Sequence, residues 1–80
     1  METRIGAAII ILESKENADI LNRIISEHGD IILGRQGLPL KDREYNIISL
    51  VLEGTTDDIG SLTGKIGRIP GVRIKSVLAT

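Results

Sequence analysis

The chain has 80 residues, ten basic against eleven acidic side chains, a net charge of -1, one aromatic residue and no cysteine. That inventory excludes disulfides, thiolate metal sites and thiol nucleophiles, and His28 alone cannot supply a multi-histidine metal site. With neither a basic field nor stacking aromatics, direct nucleic-acid contact is not expected, and a domain this short buries only about 60% of its unfolded surface, so its stability must be supplemented by packing or self-association.

Residues 1–80 read as a single domain. The apolar run over residues 5–12, in "IGAAIIIL", is too short for a membrane helix and leads into "ESKEN" rather than a cleavage site, so the chain is expected to be cytoplasmic and complete, with no membrane partner. Its isoleucines suit a first strand buried on both faces. Ser14 offers a helix N-cap, and Ala18, Leu21, Ile24, Ile25 and His28 then share one stripe of a first helix that Gly29 should stop in the left-handed conformation. "DIILGRQGL" reads as a second strand weakened by Gly34 and Gly37, and "PLKDRE" as the polar turn of a hairpin. In "YNIISLVLE", residues 45–53, Ile48, Leu50 and Leu52 share one face of a third strand, and Ile47, Ser49 and Val51 share the other. Gly54 ends that strand. Thr55 and Asp58 make a capping-box pattern for a second helix beginning near Asp57, which Pro70 and Gly71 close. "VRIKSVL" is the last strand, and its Arg73 and Lys75 suit an edge position.

The order strand, helix, strand, strand, helix, strand defines an α+β fold, the ferredoxin-like βαββαβ sandwich: an antiparallel four-stranded sheet with two helices on one face and the first and third strands central. The opposite face has nothing from the same chain to cover it. Ile47, Ser49 and Val51 point there, joined by alternate members of the first strand, either Ile9 and Ile11 or Ile10 and Leu12; both parities expose isoleucine. Ile9, Ile11, Ile47, Ser49 and Val51 are the candidate oligomer interface, and the expected partner is a second copy of the chain, as homodimer or homotetramer.

"GSLTGKIG", residues 60–67, invites a phosphate-loop reading, but its spacing is one residue short of G-x-x-x-x-G-K-[ST], and Ile66 stands where the magnesium-binding hydroxyl belongs. Helical periodicity explains it better: Ile59, Leu62, Ile66 and Ile69 form an apolar stripe with Gly60, Gly64 and Gly67 beside it. The glycine stripe is expected to let the first helix approach closely, with a subunit or ligand surface as the alternative. Arg35, Gln36 and Gly37, at the close of an edge strand, are the candidate ligand-binding residues, against the plainer reading of a solvated hairpin base. His28 suits a helix C-terminus better than a metal site. Lys65, Arg68, Arg73 and Lys75 form an acid-free basic stretch that suits a helix end and an edge strand. No serine, lysine or carboxylate has a partner at an informative spacing, so neither catalytic residues nor a metal or cofactor is expected, and the chain is not read as an enzyme.

"IGSLTGKIGRIPGVRIKSV" and "ILGRQGLPL", with this order of elements, resemble the iron-only hydrogenase system regulators, short bacterial proteins of the ACT-like group to which the C-terminal domain of nickel-responsive repressors also belongs. The resemblance spans nearly the whole chain. It implies a ferredoxin-like fold, oligomerisation through the sheet and a regulatory role connected with hydrogenase expression or maturation. Nickel sensing does not carry over, because His28 stands alone. The glycine by which ACT domains hold amino acids between first strand and first helix has no counterpart in "ESKENAD". The expected function is a regulatory or sensory module acting as a homo-oligomer that takes a small-molecule ligand or a regulatory protein partner at its subunit interfaces; the alternative is an oligomerisation protein without a ligand.

Overall fold

The isoleucine-rich run that opens the chain forms a central strand because its β-branched side chains pack well on a pleated surface from both neighbours. In the computed structural model, which describes residues 2–42 and 45–80, that strand is β1 (Arg4–Leu12). It pairs antiparallel with β3 (Asn46–Gly54) on one side and β4 (Val72–Leu78) on the other, and β2 (Ile32–Pro39) pairs antiparallel with β3. The sheet order is therefore β2-β3-β1-β4, with β3 and β1 central. Two helices, α1 (Ala18–Glu27) and α2 (Thr56–Gly67), connect the strands, and 3-10 turns at Lys15–Asn17 and Gly29–Ile31 flank α1.

Alternation along the strands sets the core. Ala8, Ile10 and Leu12 of β1 and Ile48, Leu50 and Leu52 of β3 point to one face, where Leu21 and Ile25 of α1 and Ile59, Leu62 and Ile66 of α2 close over them. The core is wholly apolar: among the described residues no polar or charged side chain is buried. Both helices therefore lie on one face of the sheet, as the ferredoxin-like order requires. α2 begins where its capping signal falls, one residue before the expected Asp57, with the Asp58 N–H donating to Thr55 Oγ1 at 3.0 Å. It is closed by Pro70 and by Gly71, whose φ of +78° is a backbone conformation that favours glycine. The Leu40 N–H donates to the Tyr45 carbonyl at 3.0 Å to close the β2–β3 hairpin. The polar turn expected over residues 39–44 lies partly outside the described residues, at Arg43 and Glu44.

Four local expectations are corrected. Ser14 does not cap α1: it precedes the first 3-10 turn and its side chain makes no capping bond, so the helix starts at Ala18. Gly29 does not end α1 in the left-handed conformation, since Gly71 alone has a positive φ among the described residues. The chain leaves instead through a 3-10 turn, with the Ile31 N–H donating to His28 O at 3.1 Å, which seats Ile31 in the core. β1 is not buried on both faces of the protomer, because Ile5 and Ile9 are exposed. Nor does the glycine stripe admit α1: a Cβ at Gly60 or Gly64 would meet nothing within 4 Å, and one at Gly67 would make ordinary contact with Ile74 at 3.6 Å.

The close approaches lie at other glycines. A Cβ on Gly6 would stand 2.6 Å from the Val77 carbonyl oxygen of β4, and one on Gly54 would stand 2.9 Å from Ile31 Cγ2.

Candidate functional site

Two features remain after the core is accounted for: the sheet face away from the helices, and a cavity at the edge strand. The register aligns that open face in rows across the strands. Val51 stands beside Ala7, which stands beside Val77; Ser49 beside Ile9, which stands beside Lys75; and Ile47 beside Ile11, which stands beside Arg73. On the β2 side these rows continue into Gly34, Gln36 and Leu38. The residues taken from sequence as an interface, Ile9, Ile11, Ile47, Ser49 and Val51, thus share one surface, and the pairing of Ile10 with Ile48 settles the parity of β1. Ile5, Leu38 and Val77 belong to the same face and were missed, although the alternation of "VRIKSVL" already places Val77 with Arg73 and Lys75. Their exposure is unusual for such apolar side chains: 41% for Ile5, 47% for Ile9, 51% for Leu38, 47% for Val51 and 66% for Val77.

Charges border this face. Arg73 Nε meets Glu13 Oε1 at 2.6 Å. A shallow cavity of about 260 Å³ lies over Ile9 and Ile11 beside Arg73 and Lys75.

The second feature arises from a break in β2. Ile32 pairs with Leu52, but Gly34 pairs with Val51, so Leu33 is an extra residue in the ladder. That bulge reverses the alternation of everything after it. Arg35 now pairs with Leu50 and Gly37 with Ile48, on the helix side of the sheet, while Gln36 pairs with Ser49 on the open face. The three candidate ligand residues are therefore divided between two surfaces. Arg35 and Gly37 line a cavity of about 300 Å³ between α1 and β2, floored by Leu12, Leu21 and Ile48 and edged by Asn22 and Asn46. Arg35 Nη2 donates to Asn22 Oδ1 at 2.7 Å.

His28 lies at the C-terminal end of α1, its Nδ1 2.8 Å from the Ile24 carbonyl oxygen. Among the described residues no group of three or more His, Cys, Asp or Glu side chains is placed to hold a metal ion, and no helix is long and apolar enough to cross a membrane. "GSLTGKIG" lies on α2, inside a helix rather than in a loop.

Fold and surface together define an α+β sandwich of the ferredoxin-like kind with one apolar sheet face unpartnered in the protomer. The chain belongs to the TM1266-like family, described as "Iron-only hydrogenase system regulator, putative", whose model matches residues 4–76. It is similar to TM1266 of Thermotoga maritima, a solved structure with 38% sequence identity and a TM-score of 0.93, the alignment covering 99% of this chain and 100% of the other. More distant likenesses show the fold alone. A PII-like protein of Thermus thermophilus superposes with a TM-score of 0.58 at 8% identity, covering 100% of this chain and 94% of the other. CPII of Thiomonas intermedia, solved with ADP, AMP and acetate, superposes with a TM-score of 0.50 at 14% identity, covering 100% of this chain and 93% of the other. No curated protein sequence matches the chain.

Proposed function

We propose that the chain is a cytoplasmic regulatory module that acts by binding alone, as a homodimer or homotetramer assembled through its open sheet face, and that responds to a small ligand or a regulatory protein at the resulting seams. One observation carries this reading: Ile5, Ile9, Leu38, Val51 and Val77 stand exposed on a single face that the chain's own helices cannot reach. Covering about 300 Å² of that face in each subunit contributes about 7 kcal/mol at roughly 25 cal/mol per Å². That is comparable with the entire folding stability of a small domain, about 5–15 kcal/mol. Family membership supports a regulatory role and directs it toward a hydrogenase system. With one aromatic residue and near-neutral charge, the module is read as acting on proteins or small molecules rather than on nucleic acid.

Size-exclusion chromatography with light scattering, followed by calorimetric titration against amino acids, nucleotides and metal ions and by pull-down from a hydrogen-producing host, tests the proposal. An oligomer that binds a ligand or a partner supports it. An oligomer silent in every titration and every pull-down is an oligomerisation protein without a ligand, and a stable single chain removes the basis of both readings.

A further inference from the structure

We infer that the cavity between α1 and β2 binds a small monocarboxylate with a short apolar tail, the Arg35 guanidinium holding the carboxylate while Leu12, Leu21 and Ile48 receive the tail. This inference rests on the reading of the chain as a ligand-responsive module but goes beyond the seam between copies, because the cavity is formed within one protomer.

On the helix side of the sheet the two central strands fill the adjoining rows with apolar residues, Leu50 beside Ala8 and Ile48 beside Ile10. At the corresponding places β2 presents an arginine and a glycine, brought there by the bulge at Leu33. Bulges re-aim side chains and are over-represented beside functional sites. Gly37 leaves the space open, for a Cβ there would meet nothing within 4 Å. The result is a cavity of about 300 Å³, at the small end of the roughly 300–1,000 Å³ typical of ligand sites.

Its chemistry selects the ligand. Asn22 on α1 accepts one hydrogen bond from Arg35 and so orients the guanidinium over the cavity. Among the described residues Arg35 makes no ion pair, the one pair being Arg73 with Glu13, and the Asn22 contact uses a single N–H of its five. The remaining donors form the planar fork that fits a carboxylate through two hydrogen bonds. Arg35 is the single charged residue of the lining, which matches a monoanion; a phosphate dianion would keep a second charge without a partner. The floor is apolar and buried, so the rest of the ligand is apolar as well.

Hexanoate is the probe, titrated into the full chain, R35Q and G37V, with hexanol and inorganic phosphate as controls and two-dimensional amide NMR as the readout. In the native chain hexanoate should shift the Leu21, Asn22, Gly37 and Ile48 amides saturably, with a Kd in the millimolar range or below, as about eight non-hydrogen atoms allow. R35Q should weaken that binding by about 10- to 100-fold, as should replacing hexanoate by hexanol, the scale of losing charge-assisted hydrogen bonds. G37V should abolish it by filling the cavity; Gly37 has no positive φ, and valine suits an edge strand, so the fold should be retained. Absence of saturable shifts in the native chain, equal binding by R35Q, or phosphate binding at these amides as tightly as hexanoate would overturn the inference. Light scattering on the same samples keeps the two ideas separable: loss of self-association removes the seam, whereas loss of hexanoate binding in an intact assembly removes only the ligand assigned here.

Discussion

If the open face is a seam between copies, a charge placed at its middle should dissolve the assembly without unfolding the protomer. Ile9→Glu is suited to this because Ile9 lies opposite Lys75 of β4 and Ser49 of β3. A glutamate there gains a cross-strand pair with Lys75, about 0.2–1 kcal/mol, which offsets the poorer strand propensity of the new side chain, a penalty of up to about 1 kcal/mol. Within the protomer the two effects nearly cancel. At the seam they do not. Ile9 is 47% exposed, so covering its remaining surface contributes about 1 kcal/mol of the roughly 1.5–3 kcal/mol available to a fully buried isoleucine. An isologous dimer contains that contact twice, and two carboxylates losing water add at least about 2 kcal/mol more. The sum is at least about 4 kcal/mol, or roughly a thousandfold or more in Kd.

Sedimentation and light scattering between about 1 and 100 μM, the span in which a micromolar interface dissociates, should show the native chain as an oligomer and I9E as a monomer with the same circular dichroism. Thermal melting supplies a second readout, since only an oligomer melts at a temperature that depends on its concentration. Two 80-residue chains unfold with about 2.1 cal/mol/K per residue, so a hundredfold dilution should lower the native dimer's Tm by about 8 °C and leave that of I9E unmoved. A native chain that sediments singly with a dilution-independent Tm, or an I9E variant that keeps its assembled mass, would refute the reasoning.

Thr55→Ala removes the hydroxyl that accepts the Asp58 N–H and should cost about 1 kcal/mol, lowering Tm by about 4–8 °C in a thermal melt, whereas Thr55→Ser should stay near the native value. Gly6→Ala sets a Cβ against the Val77 carbonyl, a backbone atom that cannot turn aside, so urea unfolding should report a loss of about 2 kcal/mol or more; an unchanged midpoint would contradict the packing of β1 on β4. Gly60→Ala and Gly64→Ala meet open space inside a helix, and each should stabilise by about 1 kcal/mol with no change of mass in light scattering. A pair of alanines that breaks the assembly would instead place a partner's backbone on that stripe.

The architecture was legible because it rests on local periodicities that tertiary contacts reinforce. β3 alternates cleanly, and Thr55 with Asp58 announces α2 three residues apart. β1 was legible as a strand but not in its orientation: Ile9, Ile10 and Ile11 offer no contrast between faces, and only the register against β3 decides which of them is buried. The start of α1 was hidden for another reason. Glu13 N–H donates to the Gly71 carbonyl at 2.8 Å, and Asn17 Nδ2 to the Pro70 carbonyl at 2.9 Å. Those bonds tie the segment before the helix to a turn more than fifty residues away, and a local capping rule at Ser14 has no access to them. At Gly29, likewise, seating Ile31 in the core decided the conformation rather than the glycine's freedom.

The edge strand is where the local rules fail in a way that carries meaning. Strict alternation from Ile32 would send Gly34 and Gln36 toward the helices and turn Arg35 and Gly37 outward; the bulge at Leu33 does the reverse. A strand serving only to close the core would put aliphatic side chains in the Arg35 and Gly37 positions, where Leu12, Leu21 and Ile48 already form an apolar floor. Instead the helix-side surface is left unfilled and a cation is held over it by Asn22. Domains whose other features agree with one another commonly break pattern at the sites they use, and the sacrifice of packing has to be offset elsewhere. In so small a domain the open sheet face is the largest reserve of apolar surface from which that offset can come. The same bulge leaves Leu38 on that open face while it turns Arg35 into the cavity, so assembly and ligand would meet on one strand.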